Sequence, residues 1–355
     1  MHPDVIHFAA IMKKHDAQIF TMPFPEVGPN DVVVKMQRIH MCTTDFQQWM
    51  GLRDHQGFPM ASGHECSGIV VEKGSAVGDS IAIGQQVGIM ANYCGYCYDC
   101  LHGHTSTCTN LPDWTELRDE KGFIGEKYFA DYTVVNRRLL LPINNDIDPS
   151  EAAFLEPIAT AVKAASLANI RPAEDVVIVG AGTMGLVNTQ VAKAFGARVI
   201  VSELSDKKVA RAQEIEGIDV IHAGQENPVE AVYRLTGGKG ADTVIMGVAN
   251  TAAYKQGFAM LKKTRGKFVL FPAGYPKPEM DFDPNQIHYR RIQIIGTVDC
   301  DLKEWVLASE LISKGLVTCK YFMEGKIFPL REINDAYAAA SIPDSYRVTI
   351  DCQGI

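Results

Sequence analysis

The sequence predicts an α/β protein of two parts, a β-rich unit and a doubly wound parallel sheet. Three observations predict it. The chain up to about residue 150 runs as short apolar stretches broken by Gly, Pro and Asn. From Pro149 onward, strands alternate with helices. The first strand of that alternation leads straight into a glycine-rich turn.

In order along the chain, Val32 to Met36, Gly68 to Val71 and Tyr132 to Val135 have the β-branched and aromatic content of strands. Ser150 ahead of Glu151, Ala152 and Ala153 reads as a helix start with an acid in the first turn, and Ala161 to Ala168 is helical by composition. Val176 to Val179 is apolar throughout, as a strand covered on both faces must be. A helix from about Thr183 to Phe195, the strand Arg198 to Val201, a helix from about Asp206 and the strand Val220-Ile221 follow. The helix Val229 to Leu235, the strand Thr243 to Met246, the helix Ala252 to Leu261 and the strand Lys267 to Leu270 extend the alternation. Beyond Tyr289 come a strand to Gly296, a helix Leu302 to Ser313, a strand near Lys326, a helix Arg331 to Ala340 and a closing strand Tyr346 to Ile350.

With 34 basic against 42 acidic residues the net charge is −8, the wrong sign for a phosphate-backbone partner. No stretch has the length and apolarity of a membrane span, and residues 1–14 lack the layout of a signal peptide, so a cytoplasmic location is expected. Nine cysteines in a reducing compartment should not form disulfides.

Gly180-Ala181-Gly182-Thr183-Met184-Gly185 fits G-x-G-x-x-G after an apolar strand and at a helix start, the context that gives the motif meaning. In such a Rossmann-type turn Gly180 allows the bend, Gly182 lets a pyrophosphate approach, and Gly185 lets helix and strand pack closely. The helix start offers unpaired N–H groups to the phosphates. Glu203 ends the next strand, 23 residues after Gly180, where an acid accepts from the adenosine ribose and repels a 2′-phosphate. NAD is therefore expected before NADP.

Cys94, Cys97, Cys100 and Cys108 lie on one short loop and supply four thiolates, a saturated tetrahedral zinc site with a structural role. His102 and His104 in the same loop are expected to face solvent. A second set is more dispersed: Cys42 in Cys-Thr-Thr-Asp, His64 and Glu65 after Gly63, and Glu156 before Pro157.

Together, and in this order, these segments resemble the zinc-dependent medium-chain dehydrogenases, closest to the sorbitol/polyol branch, over essentially the whole chain. The resemblance implies a GroES-like catalytic domain from residues 1–152 and 292–355, a Rossmann NAD-binding domain from 153–291, and a site in the cleft between them. It implies that Cys42, His64 and Glu65 bind a catalytic zinc, with Glu156 binding directly or through water. Thr44 would pass a proton from the alcohol, and Asp45 would anchor His64. The implied activity is hydride transfer between a secondary alcohol or polyol and NAD, with two zinc ions per subunit. A homo-oligomer is implied, a tetramer before a dimer, acting on a small molecule without nucleic acid or membrane.

The sequence departs from the family pattern in two places. Gln47 stands where a histidine often extends the proton path, and Asp299 stands where sorbitol dehydrogenases carry Arg. Asp299 could meet a substrate hydroxyl or amine, which makes an amino-alcohol (threonine-like) dehydrogenase the alternative. The lack of Arg or Lys at that place weighs against a phosphorylated substrate. Trp49, His55 and Phe58 are pocket candidates, with core packing the competing role for the aromatics. A non-catalytic zinc and nucleotide sensor would require a distorted or occupied metal site.

Overall fold

The computed structural model describes residues 2–53, 57–111, 118–274, 277–280 and 282–355. His55 lies outside them. The chain divides into two compact units. One comprises Met1–Glu156, Asp301–Leu316 and Met323–Ile355; the other comprises Pro157–Cys300 and Val317–Phe322.

The first unit is built on a seven-stranded sheet. Along it lie Met323–Pro329, Arg347–Asp351, Asp31–His40, Cys66–Lys73, Gln86–Ile89 and Leu140–Pro142, with Tyr132–Asn136 also paired to Asp31–His40. Asp31–His40 is the hub: Val32, Val34, Met36 and Ile39 are fully buried in one core with Val70, Val87, Val348 and Ile350. Its pairing with Cys66–Lys73 is close because Gly68 has no side chain; a Cβ there would sit 2.6 Å from the Lys35 carbonyl oxygen. The hairpin Val5–Lys13 with Asp16–Pro23 carries a second apolar cluster around Ile6 and Phe8.

The second unit is a six-stranded parallel sheet in the order Ile218–His222, Arg198–Glu203, Asp175–Val179, Thr243–Met246, Lys267–Leu270, Gln293–Gly296. Val176 to Ile178, Val199 to Val201 and Val244 to Met246 are buried, as strands flanked by helices on both faces require. The expected boundary at 291/292 is corrected here. Gln293–Gly296 pairs in parallel with Lys267–Leu270, so it closes this sheet and belongs to the nucleotide-type unit. Residues 317–322 also return to it. At the front the break falls after Glu156, four residues beyond the expected 152.

Among the described residues no helix is long and apolar enough to cross a membrane.

Candidate active site and cysteine knuckle

Strand register brings the dispersed residues together. Ile39 pairs with Cys66, so the residues just past one strand and just before the next are neighbours. Cys42 caps the helix Thr43–Trp49 on one side of this junction, and His64 and Glu65 precede Cys66–Lys73 on the other. Gly63, at φ 109°, makes the turn into His64; a Cβ there would meet Ile39 Cδ1 at 2.7 Å and the Phe129 N at 3.0 Å. The result is one sulfur, one imidazole nitrogen and one carboxylate oxygen, from Cys42, His64 and Glu65, all within 4.8 Å of one another.

This donor set is the one zinc takes, and the surrounding charge suits a cation. Burial disfavours charge on His64, but the Cys42 sulfur, Asp45 and Glu156 outweigh it and hold the imidazole well above its ordinary pKa. Asp45 is 1% exposed; its Oδ2 accepts from the Cys42 N–H at 2.9 Å, and its Oδ1 is buried without a hydrogen-bond partner among the described residues. Burial pushes the Asp45 carboxyl up, and nearby His64 pulls it back. Glu156 stands in the first turn of Leu155–Leu167 and acts electrostatically on His64, but it is not one of the three clustered donors.

The strand Arg347–Asp351 completes the junction from the other edge of Asp31–His40. Arg347 donates from Nε to Glu65 Oε2 at 2.8 Å and from Nη2 to Oε1 at 2.5 Å, and its Nη2 lies 3.6 Å from Cys42 Sγ. Burial alone would raise the Glu65 carboxyl; Arg347 pulls it below its ordinary value. Each carboxylate oxygen keeps a second lone pair, so the arginine fixes Glu65 without using up its capacity to bind a metal. His40, fully buried beside this pair, is pushed by burial down to about 4. It is neutral: Nε2 donates to the Ser150 carbonyl at 2.8 Å and Nδ1 accepts from the Thr349 hydroxyl at 3.1 Å.

Thr44 follows Cys42 by two residues, and its hydroxyl accepts from Arg53 Nη1 at 2.7 Å. Trp49 is core: it is 8% exposed, stacks on Tyr337 and donates to Asn334 Oδ1 at 3.1 Å. Phe58 packs against the same core. Gln47 lies in the helix Thr43–Trp49. Asp299 belongs to the second unit, has φ 57°, and accepts from the Cys300 N–H at 2.7 Å.

The four knuckle sulfurs also lie within 4.8 Å of one another. Cys94 to Cys100 and Cys97 to Cys108 are both 3.9 Å between sulfurs. Disulfides would be about 2.05 Å; a tetrahedron with metal–sulfur bonds of about 2.3 Å has edges of about 3.8 Å. Backbone N–H groups point at the sulfurs, from Cys97 to Cys94 at 3.2 Å and from Cys100 to Cys97 at 3.4 Å. The Cys100 N–H holds the Cys97 thiol down at about 6, so it readily becomes a thiolate ligand. His102 and His104 are outside the sulfur group. The loop docks on the helix Leu302–Ser313: the Ser106 N–H and hydroxyl donate to Asp301 Oδ1 at 2.9 and 2.7 Å.

In the second unit Gly180 has φ 101°, and a Cβ on Gly185 would collide with the Gly180 carbonyl oxygen. Nothing lies within 4 Å of the missing Cβ of Gly182, which caps Thr183–Ala194 without a side-chain hydrogen bond. The Thr183 hydroxyl donates to the Phe322 carbonyl at 3.4 Å, and Met184 lies in the first turn of the helix. Glu203 accepts from the Ala181 N–H at 2.6 Å, the Leu204 N–H at 2.7 Å and the Ser205 N–H at 2.9 Å. Its carboxylate ties the glycine turn to the end of its own strand.

Comparison with known proteins places these features. The alcohol dehydrogenase GroES-like domain matches residues 28–145, and the zinc-binding dehydrogenase domain matches residues 183–314. An L-threonine 3-dehydrogenase from Bacillus velezensis is 31% identical over 87% of this chain and 88% of its own. A sorbitol dehydrogenase from Halalkalibacterium halodurans is 29% identical over 92% and 93%. The chain belongs to the zinc-dependent medium-chain dehydrogenase family. A solved structure described as a zinc-binding dehydrogenase from Sinorhizobium meliloti 1021, bound to NADP, aligns with this dehydrogenase at a TM-score of 0.84 and 26% identity, covering 98% of this chain and all of that one.

Sequence reasoning missed three residues of this dehydrogenase's metal-site region. Arg347 and His40 are buried polar groups inside strands that otherwise read as core. A buried Arg needs a paired acid, and that was the available signal. Arg53 sits nine residues past Thr44, with no local pattern to mark it.

Proposed function

We propose that this zinc dehydrogenase oxidises a secondary alcohol or polyol with NAD, using Cys42, His64 and Glu65 to hold a catalytic zinc and Glu156 as the acid that approaches it directly or through water. The convergence of the first three donors within 4.8 Å of one another, with Glu65 buried and Cys42 and His64 partly buried, carries the reading. Bound there, zinc supplies a positive charge that acidifies a hydroxyl, and NAD supplies the hydride acceptor. Thr44 relays the proton of the reacting hydroxyl, giving up its own proton to water as it takes one. Asp45 acts on the His64 imidazole through its charge, and Arg347 holds the Glu65 carboxylate in place through two hydrogen bonds. Cys94, Cys97, Cys100 and Cys108 hold a second, structural zinc. Gly180, Gly182, Thr183, Met184 and Gly185 form the pyrophosphate turn.

Glu203 supports NAD over NADP, because three backbone N–H groups fix its negative charge where a 2′-phosphate would come. The relatives from B. velezensis and H. halodurans act on threonine and sorbitol by name, which keeps the amino-alcohol reading beside the polyol one. The sensor reading loses support, since it needs a distorted metal site. The proposal includes a homotetramer in the cytoplasm, checked by sedimentation and fractionation.

The test is metal analysis together with NADH formation by the zinc-loaded protein on polyols, cyclitols, amino alcohols and simple secondary alcohols, with NADP in parallel. Two zinc ions per chain and NAD-dependent turnover are expected. Glu203→Ala should move the coenzyme ratio toward NADP by about tenfold, the scale of one like-charge repulsion at a partly exposed site. A preference for NADP in the unmutated protein contradicts the role given to Glu203.

A further inference from the structure

A basic cavity at the start ends of the parallel strands plays no part in the chemistry above. It encloses about 380 Å³ and is lined by Arg171, Lys262, Arg265, Lys267 and Arg291, with Glu174 the one acid among its described lining residues. Glu174, Lys267 and Gln293, all in the lining, stand where the strands Asp175–Val179, Lys267–Leu270 and Gln293–Gly296 begin. Gly180 follows the other end of Asp175–Val179, a strand of five residues. At about 3.3 Å per residue the cavity and the glycine turn lie on the order of 16 Å apart, at opposite ends of the same sheet.

The two lysines are tied to the protein's own acids. Lys267 donates to both Glu174 oxygens at 3.1 and 2.8 Å, and Lys262 pairs with Asp242 at 2.5 Å. The three arginines are not. The guanidiniums of Arg171, Arg265 and Arg291 have no hydrogen bond or ion pair among the described residues. Five cations less two acids leave +3 in one corner of a chain whose net charge is −8. Like charges grouped in this way repel one another. Two of the arginines also occupy costly backbone, Arg265 at φ 60° and Arg291 at φ 53°, in the left-handed region that suits glycine. Arg291 caps the helix Pro284–Arg290, where a glycine ordinarily stands. The Arg265 N–H donates to the Arg290 carbonyl at 2.7 Å, which laces the two turns together.

We propose that this cavity binds a small polyanion of about three negative charges, of the pyrophosphate or tricarboxylate kind, matching the +3 of its walls. A guanidinium stays charged at any working pH, presents five N–H donors in a plane, and pairs bidentately with phosphate and carboxylate oxygens alike. A single phosphate group, at about −1.5 to −2, leaves part of the positive charge unanswered. The volume falls in the range of small-molecule sites, roughly 300–1,000 Å³. A long acidic chain would need an extended basic surface instead of a recess. Nothing in this site depends on the reaction proposed above.

Calorimetric titration at low ionic strength compares pyrophosphate, citrate, orthophosphate and hexaglutamate on the zinc-loaded protein. Pyrophosphate or citrate should bind more tightly than orthophosphate. The variant is the double substitution Arg265→Gly with Arg291→Gly. Glycine accepts the left-handed backbone at both places, so Tm should equal or exceed that of the parent. Affinity for the preferred anion should fall at least about tenfold, the scale of losing a hydrogen bond between charged groups. The saturating anion should raise Tm in the parent and not in the variant. Pyrophosphate can also meet zinc or the glycine turn, both of which the variant keeps, so the cavity's share is the difference between the two proteins. The anion that shows the larger difference names the chemistry, phosphoryl or carboxylate.

Equal affinity in parent and double variant overturns the proposal. Orthophosphate binding as tightly as pyrophosphate and citrate overturns it too, because the match of charge is then lost. Hexaglutamate binding more tightly than every small anion turns the recess into a docking face for an acidic chain and ends the small-molecule reading. A lowered Tm with unchanged anion affinity assigns the two arginines to the fold alone. Should the double variant fail to fold, Arg171→Gln, at an exposed position of the same lining, takes its place, and unchanged affinity there has the same force.

Discussion

Arg347→Met tests whether the buried pair beside the Cys42, His64 and Glu65 cluster holds the first unit together. Glu65 is 1% exposed and accepts from Arg347 through both oxygens, so removing the guanidinium strands a carboxylate in the interior. Breaking one side of such a pair costs ~3–5 kcal/mol. The carboxyl has one escape, which is to take up a proton. From its ordinary pKa of 4.5, protonation at pH 7 costs about 1.4 kcal/mol per unit, or about 3.4 kcal/mol, which caps the charge penalty. For a domain of about 200 residues that lowers Tm by about 7–14 °C. The pH dependence has a definite sign. In the parent the Glu65 carboxyl is held below its ordinary value, so its contribution is present above the unfolded pKa and fades as pH falls through the folded one. In the variant burial pushes the carboxyl up, so the penalty grows with rising pH. The gap between the two proteins is widest near pH 7–8 and narrows by up to about 1.4 kcal/mol per unit toward pH 5. Urea unfolding at pH 8, 7 and 6, with chelator present so that no metal replaces the lost charge, measures it. Adding Glu65→Gln to the variant should restore much of the loss. A deficit under about 1 kcal/mol, or one indifferent to pH, refutes the reasoning.

Three further outcomes follow from the same geometry. Gly185→Ala places a Cβ against the Gly180 carbonyl oxygen, so the glycine turn must shift; NADH fluorescence titration should show Kd raised at least about tenfold with zinc content unchanged. Cys97→Ser should cut bound zinc from two ions per chain to one and lower Tm, because the loop that docks Ser106 on Asp301 loses its cross-link; retention of both ions contradicts the knuckle assignment. Asp45→Asn removes a charge that favours the cationic side of His64, and zinc competition assays should show about 10- to 100-fold weaker binding at one site only.

The parts of this molecule legible in the sequence are those whose geometry is local. Four cysteines spread over fifteen residues can reach one another whatever the rest of the chain does. A glycine turn between an apolar strand and a helix likewise carries its own reason. Cys42, His64 and Glu65 were legible as motif segments, although their meeting depends on a strand register, Ile39 opposite Cys66, that the sequence does not display. The second boundary was misplaced for a physical reason. Gln293–Gly296 was legible as a strand, but it is a mostly exposed edge strand, and nothing in its residues says which of the two sheets it joins.

Arg347 shows the limit most clearly. It lies 282 residues from Glu65, in a closing strand whose neighbours Val348 and Ile350 read as core. Its partner could be sought among the acids of the buried motifs, but only the sheet order chooses Glu65. The same order explains why the arginine is there at all. With zinc bound as proposed, Cys42 as its sulfur ligand together with Glu65, Asp45 and Glu156 would bring more negative charge to this corner than a single divalent ion neutralises. Arg347 takes up part of the excess from the closing strand, which makes the last residues of the chain as much a part of the site as the first sixty-five.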